Sequence, residues 1–245
     1  MIDRSASSPD ISVVVPVHDE SGAAVPLARE IAEAFAGRSY EMIFVNDASR
    51  DTTLAELQAA MAELPALRVL SHGNNAGQSR AVRTGVLAAR APIVVTLDGD
   101  GQNPPADAPR LVDALLAAPP SVALVGGVRA RRQDTNAKRQ ASLWANRIRR
   151  KLLGDDADDT GCGLKAFRRD VFLRLPYFDH IHRYLPALMI REGYENRYLE
   201  VDHRHRETGR SKYTNWGRLR ASFSDLLGVM WLKSRSRRPG AVTEF

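Results

Sequence analysis

Two carboxylates one residue apart, Asp98 and Asp100, stand in the stretch Leu97-Asp98-Gly99-Asp100-Gly101-Gln102-Asn103-Pro104-Pro105, at the end of an apolar run and ahead of a double proline. Such a pair cannot prolong a buried strand without a large desolvation cost. At the mouth of a strand it suits a hard divalent cation that takes oxygen ligands and shares them with substrate phosphates. Asp and Gly are also turn formers, so the pattern alone leaves a metal site and an ordinary turn both open. Further polar clusters lie elsewhere: His18-Asp19-Glu20, Asn46-Asp47, and the acidic turn Asp158-Asp159-Thr160-Gly161-Cys162-Gly163. Two basic stretches follow the carboxylate pair. Residues 129–151 carry nine Lys and Arg against one acid, Asp134, and residues 203–213 carry Arg204, Arg206, Arg210 and Lys212 around Gly209. Arg and Lys in such a loop are apt for clamping phosphate by charge-assisted hydrogen bonds. His182, His203 and His205 lack the carboxylate pattern of a histidine metal centre, which disfavours that reading.

These clusters need elements to hold them. Residues 11–17 (ISVVVPV) form a continuous β-branched run, as expected of a strand covered on both faces. Apolar positions at helical spacing follow over 25–35, with Gly37 as a C-cap. The unit repeats: strand 41–45, polar turn 46–51, helix 52–64, strand 67–70, helix 79–90, strand 92–97. Strands alternating with helices predict an α/β fold with a mostly parallel central sheet flanked by helices. Ligands of such sheets bind beyond the carboxyl ends of the strands. That rule gathers Asp19, Glu20, Asp47 and the Asp98/Asp100 pair on one edge. The second half reads as helix 108–117, strand 121–127, a helical portion within 129–151, a short helix from about 170, helix 182–191 and strand 195–201. From Asn215, Trp216, Leu219, Phe223, Leu226, Leu227 and Met230 recur at three- and four-residue spacing, with Lys233, Arg235, Arg237 and Arg238 following. That is either a core-packing helix with a solvated basic tail or an interfacial helix on an anionic membrane surface.

With 35 Lys and Arg against 29 acids, the 245-residue chain carries a formal charge of +6, which points to an anionic partner. Nucleic acid is disfavoured, because no aromatic-interleaved basic strand or recognition motif is present. The single cysteine, Cys162, permits no intrachain disulfide and no cysteine cluster for zinc. No secretory leader is evident at the N-terminus and no apolar run approaches the length of a membrane span. A cytoplasmic protein with peripheral contact at the inner membrane face is the expectation.

Six motifs occur in order: VVVPVHDE, FVNDASRDTT, NNAGQSRAVRTG, LDGDGQNPP, DDTGCGLKAFRRDV and RHRETGRSKY. Together they resemble the family-2 glycosyltransferases of the nucleotide-diphospho-sugar GT-A fold, and within them the dolichyl- and polyprenyl-phosphate sugar synthases typified by dolichol-phosphate mannose synthase. The resemblance implies a flexible N-terminus over 1–10, a GT-A catalytic domain over 11–213, an amphipathic helix over 214–238 and a tail over 239–245. It implies that Pro16, His18, Glu20 and Asp47 meet the nucleobase and ribose. Asn46 stands where many members have aspartate, so uridine and guanosine both stay open. Asp98, Asp100 and Gln102 fall on the metal and diphosphate motif, implying Mg²⁺ or Mn²⁺. Asp159 matches the acidic turn near the reacting centre. Arg129, Arg131, Arg204, Arg206, Ser211 and Lys212 match positions that hold an acceptor phosphate and close over the donor.

The implied reaction is inverting transfer of a sugar from a nucleoside diphosphate to a polyprenyl phosphate. An anionic acceptor needs little general-base help; a hydroxyl acceptor would require Asp159 to take a proton. Many bacterial relatives carry membrane helices after this domain, so either a peripheral helix or a separate membrane protein would complete the chain. The alternatives are a family-2 enzyme acting on a glycan or other hydroxyl, and a non-catalytic basic module that binds lipid or nucleic acid.

Overall fold

The computed structural model describes residues 8–129, 152–155, 157, 159–204, 215–237 and 243–244, with side chains of the last helix described from 223 onward. The first half alternates as the periodicity predicts: β1 Ile11–Val17, α1 Ala24–Ala34, β2 Tyr40–Asn46, α2 Thr53–Ala60, β3 Leu67–Ser71, α3 Gln78–Ala88 and β4 Ile93–Thr96. Then come α4 Ala108–Leu116, β5 Val122–Arg129, β6 Lys165–Arg168, α5 Arg169–Arg174, α6 Leu185–Glu192, β7 Glu195–Val201 and α7 Asn215–Ser234. Short 3₁₀ turns precede α4 and α6, at Pro105–Asp107 and Ile181–Arg183. All seven strands form one sheet in the order β3-β2-β1-β4-β6-β5-β7.

Continuous apolar strands are explained by two cores, one on each face. Along β1, Val13, Val15 and Val17 point into a core with Leu27, Ile31 and Phe35 of the α1 side. Val14 points the other way, against Val82 and Val86 of α3. In β2 Met42 and Phe44 share the first core, Ile43 and Val45 the second. Each fully buried side chain of this size contributes roughly 1.5–3 kcal/mol, so both layers of helices are held by the same strands.

Two elements differ from the sequence expectation. The helix expected over 182–191 starts later: Ile181–Arg183 is a 3₁₀ turn, and α6 begins at Leu185 with Pro186 in its first turn, where its missing N–H costs no hydrogen bond. No strand was expected at Lys165–Arg168, yet β6 lies between β4 and β5 and runs antiparallel to both. Its direction sets the chemistry. Because β6 is reversed, its first residue, Lys165, lies opposite Thr96 at the end of β4 and opposite Gly126 of β5. A side chain from the start of a strand thus arrives at the edge where the neighbouring strands finish.

At the opposite edge Glu41, 5% exposed, ties three strands together. It accepts from the Ser12 hydroxyl at 2.7 Å, from the Arg90 amide at 2.7 Å and from the Arg68 guanidinium. Burial by itself would raise this carboxyl's pKa, but the three donors outweigh it and the net direction is down from 4.5. A carboxyl whose folded pKa is lowered stabilises fully above its unfolded pKa and loses that stabilisation as pH falls through the folded value. Glu41→Gln is therefore expected to cost about 1–3 kcal/mol in urea denaturation at pH 7, and the gap to the unaltered protein is expected to narrow below pH 4.5.

Candidate active site

The carboxylate pair leaves β4 on a turn pressed against β1. A Cβ at Gly99 would come within 2.6 Å of the Pro16 carbonyl oxygen, so only glycine lets the turn lie there. Gly163 is required from the other side, since a Cβ on it would overlap the Asp98 carboxylate. Gln78 of α3 donates to Asp98 Oδ1 at 2.7 Å, and the Gln102 amide donates to Asp100 Oδ1 at 3.1 Å. Removal from water, and after it the charge of Asp100, raise the Asp98 pKa against the opposition of Lys165, Gln78 and Arg129, to about 6 in all. Two like charges held together at a desolvated edge are suited to a divalent cation.

Lys165 is the functional residue that sequence reading passed over. It is 5% exposed, its ammonium donates to the Cys162 carbonyl, and the charges of Asp98, Asp159 and Arg129 all act on it. Burial lowers its pKa, with Cys162, Asp98 and Asp159 pulling the other way. Only the antiparallel course of a four-residue strand brings it here, and four residues carry no alternation to read.

Asp159, 7% exposed, is gripped by Arg129 in a fork: Nε to Oδ2 at 2.6 Å and Nη2 to Oδ1 at 2.8 Å. The Asp159 bond raises the Arg129 pKa further above its ordinary value. The acidic turn and the end of β5, both expected near the reacting atoms, thus meet each other first. Arg204 donates its backbone amide to the Gln102 carbonyl at 2.9 Å, which brings the chain after β7 over the carboxylate turn, while its guanidinium pairs with Glu30 of α1 at 2.8 Å. Arg131, Arg206, Ser211 and Lys212 lie outside the described residues.

On the same sheet edge a cleft of about 760 Å³ opens at the ends of β1, β2 and β3, lined by His18, Asn46, Arg50, His72, Asn74 and Asn75 among others. Its loops hold Asp19 and Ala48 at positive φ, 51° and 55°, a conformation that surrounding contacts must enforce. Asp47 does much of that. It is 3% exposed, with its carboxylate turned inward: Oδ1 accepts from the Ala76 amide at 2.9 Å and from His72 Nδ1 at 2.7 Å, and Oδ2 from the Gly77 amide at 2.7 Å. His72 passes the chain on to Thr84 Oγ1 at 2.9 Å through Nε2. His18 Nδ1 donates to the Asp47 carbonyl at 2.8 Å. The Glu20 amide donates to Thr53 Oγ1 at 2.9 Å, and Pro16 borders the carboxylate turn through its carbonyl. Asp47 therefore stands behind the cleft wall and shapes it, rather than lining it.

Among the described residues no three His, Cys, Asp or Glu side chains converge on one ion. Asp98 and Asp100 are the oxygen donors here that would suit a Mg²⁺ or Mn²⁺ shared with substrate phosphate. Gln102 follows in the same turn, and its side chain has no hydrogen-bond partner among the described residues.

The fold is that of the GT-A glycosyltransferases: glucosyl-3-phosphoglycerate synthase from Mycobacterium tuberculosis, in a structure with Mn²⁺, UDP-glucose and phosphoglyceric acid, superposes with a TM-score of 0.64 at 20% identity, covering 97% of this chain and 84% of that one. The chain belongs to glycosyl transferase family 2, whose sequence pattern matches residues 12–175. Among relatives, it is 33% identical over 237 residues to dodecaprenyl-phosphate galacturonate synthase of Rhizobium johnstonii, covering 94% of this chain and 69% of the relative. It is also 33% identical over 225 residues to an undecaprenyl-phosphate 4-deoxy-4-formamido-L-arabinose transferase of an Enterobacter species, covering 90% of this chain and 65% of the relative. The chain thus spans about two thirds of the length of these relatives.

A raised carboxyl pKa means that the native state keeps a proton that the unfolded chain releases near 3.8, so stability falls as pH rises from there to about 6 and the full cost is present at pH 7. Asp98→Asn removes that charge. It is expected to raise the metal-free melting point by a few degrees at pH 7.5, about 1–2 kcal/mol after allowing for solvent at the cleft, and to abolish the further rise on adding Mn²⁺.

Proposed function

We propose that this glycosyltransferase moves a sugar from a nucleoside-diphosphate donor onto a polyprenyl phosphate, with inversion at the anomeric carbon, at the cytoplasmic face of a membrane. The observation that carries the choice of acceptor is the Arg129–Asp159 fork. Asp159, the carboxylate that a hydroxyl acceptor would need as its base, is already committed to a guanidinium. A phosphate acceptor is anionic before it arrives and needs positioning and charge screening rather than deprotonation. The names of the two relatives, both polyprenyl-phosphate sugar transferases, support the same acceptor.

In this reading His18, Glu20, Pro16 and the loops that Asp47 braces receive the base and ribose in the 760 Å³ cleft. Asp98, Asp100 and Gln102 hold a Mg²⁺ or Mn²⁺, which when bound supplies charge stabilisation to the leaving diphosphate. Arg129 exchanges part of its grip on Asp159 for the acceptor phosphate, and Arg131, Arg204, Arg206, Ser211 and Lys212 add to that clamp. Arg204 would leave Glu30, an exposed pair worth little in water. Lys165 and Arg129 oppose the negative charge that builds at the edge as the sugar–phosphate bond breaks.

The membrane contact is placed on α7. Leu226, Val229 and Met230 pack it onto the body, His180 Nδ1 meets Asp225 at 2.8 Å and Arg191 donates to the Leu232 carbonyl at 3.2 Å. Phe223, Leu227 and Trp231, four residues apart in succession, are left 64%, 51% and 59% exposed. No described helix is long and apolar enough to cross a membrane. An apolar stripe next to Arg235 and Arg237 suits an anionic bilayer surface, whether alone or beside a membrane-protein partner.

Label from UDP- or GDP-sugars is expected to appear on undecaprenyl phosphate only with Mg²⁺ or Mn²⁺. Asp159→Asn is expected to slow that transfer by less than about 100-fold, whereas loss of a required base would cost toward 10⁴-fold; transfer confined to a hydroxyl acceptor, or retention of the anomeric configuration, contradicts the proposal. Replacing Phe223, Leu227 and Trp231 together by Ser is expected to cut co-sedimentation with phosphatidylglycerol vesicles at least tenfold while leaving nucleotide binding unchanged; undiminished sedimentation refutes the placement on α7.

A further inference from the structure

Adjacent residues at the start of α3 reach in two directions. Gln78 donates to Asp98 Oδ1 at 2.7 Å, and Ser79 Oγ bonds His182 Nδ1 at 2.7 Å. Ser79 is 1% exposed, so this bond is a fixed internal strut from α3 to the 3₁₀ turn Ile181–Arg183. His182 itself is half-buried, and its other ring nitrogen, Nε2, has no hydrogen-bond partner among the described residues. The Lys165 ammonium acts electrostatically on both the Asp98 carboxylate and this imidazole. The ring is thus tied to the start of α3, one residue from the Gln78 that reaches Asp98, although it follows β6 and α5 rather than β4.

The order of the sheet says what such a ring would face. Along β3-β2-β1-β4-β6, the base-sized cleft lies at the ends of β1 to β3 and the carboxylate pair follows β4. Lys165 opens β6, and His182 stands on the turn packed against the start of α3, whose Gln78 reaches Asp98. A nucleotide sugar has the same linear order: base, ribose, diphosphate, sugar. Laid along the edge with its diphosphate at Asp98 and Asp100, its sugar falls at β6.

We propose that His182 is a donor-sugar residue: held by Ser79 through Nδ1, it offers Nε2 to a ring hydroxyl of the sugar being transferred and positions that ring over the carboxylate edge. This rests on the transferase reading above. A hydroxyl can donate or accept, so it matches either neutral tautomer; the Ser79 hydroxyl likewise adapts to whichever one is present. Burial, with the charges of Lys165, Arg183 and His180 adding to it, pushes the His182 pKa down to about 3, which keeps the ring neutral and hydroxyl-compatible through the working pH range. A residue of this kind discriminates among sugars without touching the nucleotide.

The test separates the two parts of the donor. Full-length protein in Mn²⁺ is titrated calorimetrically with UDP, GDP, UDP-glucose, UDP-galacturonate and GDP-mannose. For the nucleotide sugar that the unaltered protein binds, His182→Phe is expected to weaken binding about tenfold or more, while the matching nucleoside diphosphate stays within about twofold. Ser79→Ala is expected to weaken the same ligand by a smaller factor. His182→Gln, which keeps a hydrogen-bonding group, is expected to recover part of the loss and serves if the Phe variant fails to fold. Equal losses for the nucleotide and its sugar, or no loss for either, would overturn the assignment. An unaltered protein that binds none of the five overturns the transferase reading itself.

Discussion

Repulsion between Asp98 and Asp100 at a partly dry sheet edge is the constraint around which the rest of the molecule is arranged. The two carboxylates are an unfavourable pair by themselves, and the protein holds them together with neutral amides from Gln78 and Asn103 to Asp98 and with the buried charge of Lys165. None of these cancels the repulsion. Each limits it enough for the fold to persist while leaving the site attractive to a divalent ion. The two glycines that let the turn lie against Pro16 and let Asp98 lie against the acidic turn belong to the same solution, because any larger residue would push the carboxylates apart or out of the edge.

The reversed strand β6 supplies the means. A fully parallel sheet would bring only strand ends to this edge, and its loops would have to supply every cation. With β6 antiparallel between β4 and β5, a strand's first residue enters the same edge, and the turn before it carries Asp159 to Arg129. A short strand thus joins the carboxylate turn after β4 to the Arg129–Asp159 pair, the donor and acceptor halves of the proposed function. The Arg129–Asp159 fork is strong enough to orient both partners, and replaceable in part by an incoming phosphate of like geometry.

Much of this was legible in the sequence. The βαβ alternation and the edge shared by Asp19, Glu20, Asp47 and the Asp98/Asp100 pair follow from apolar runs that end in polar clusters, a pattern with a direct physical cause, while the family resemblance rests on six motifs in order. What was illegible depended on direction and pairing. KAFR has no period to mark it as a strand, so Lys165 could not be placed; the Ser79–His182 strut spans 103 positions and has no local signature. Asp47 shows a further limit: its residue type and location suggest a ligand contact, and nothing in the sequence signals that the Ala76 and Gly77 amides already bond its carboxylate oxygens. Propensity reports which side chains reach an edge, and only packing reports which of them are already spent there.

The central claim, that Asp98 and Asp100 anchor the donor's diphosphate through a divalent ion, is tested most directly by anomalous scattering. Crystals of the protein grown with MnCl₂ and a nucleoside diphosphate should show one Mn²⁺ peak bridging the Asp98/Asp100 turn and the diphosphate, with the base in the cleft beside His18. A nucleotide bound with no manganese at that turn, or manganese bound elsewhere with the two carboxylates left apart from it, would contradict the account.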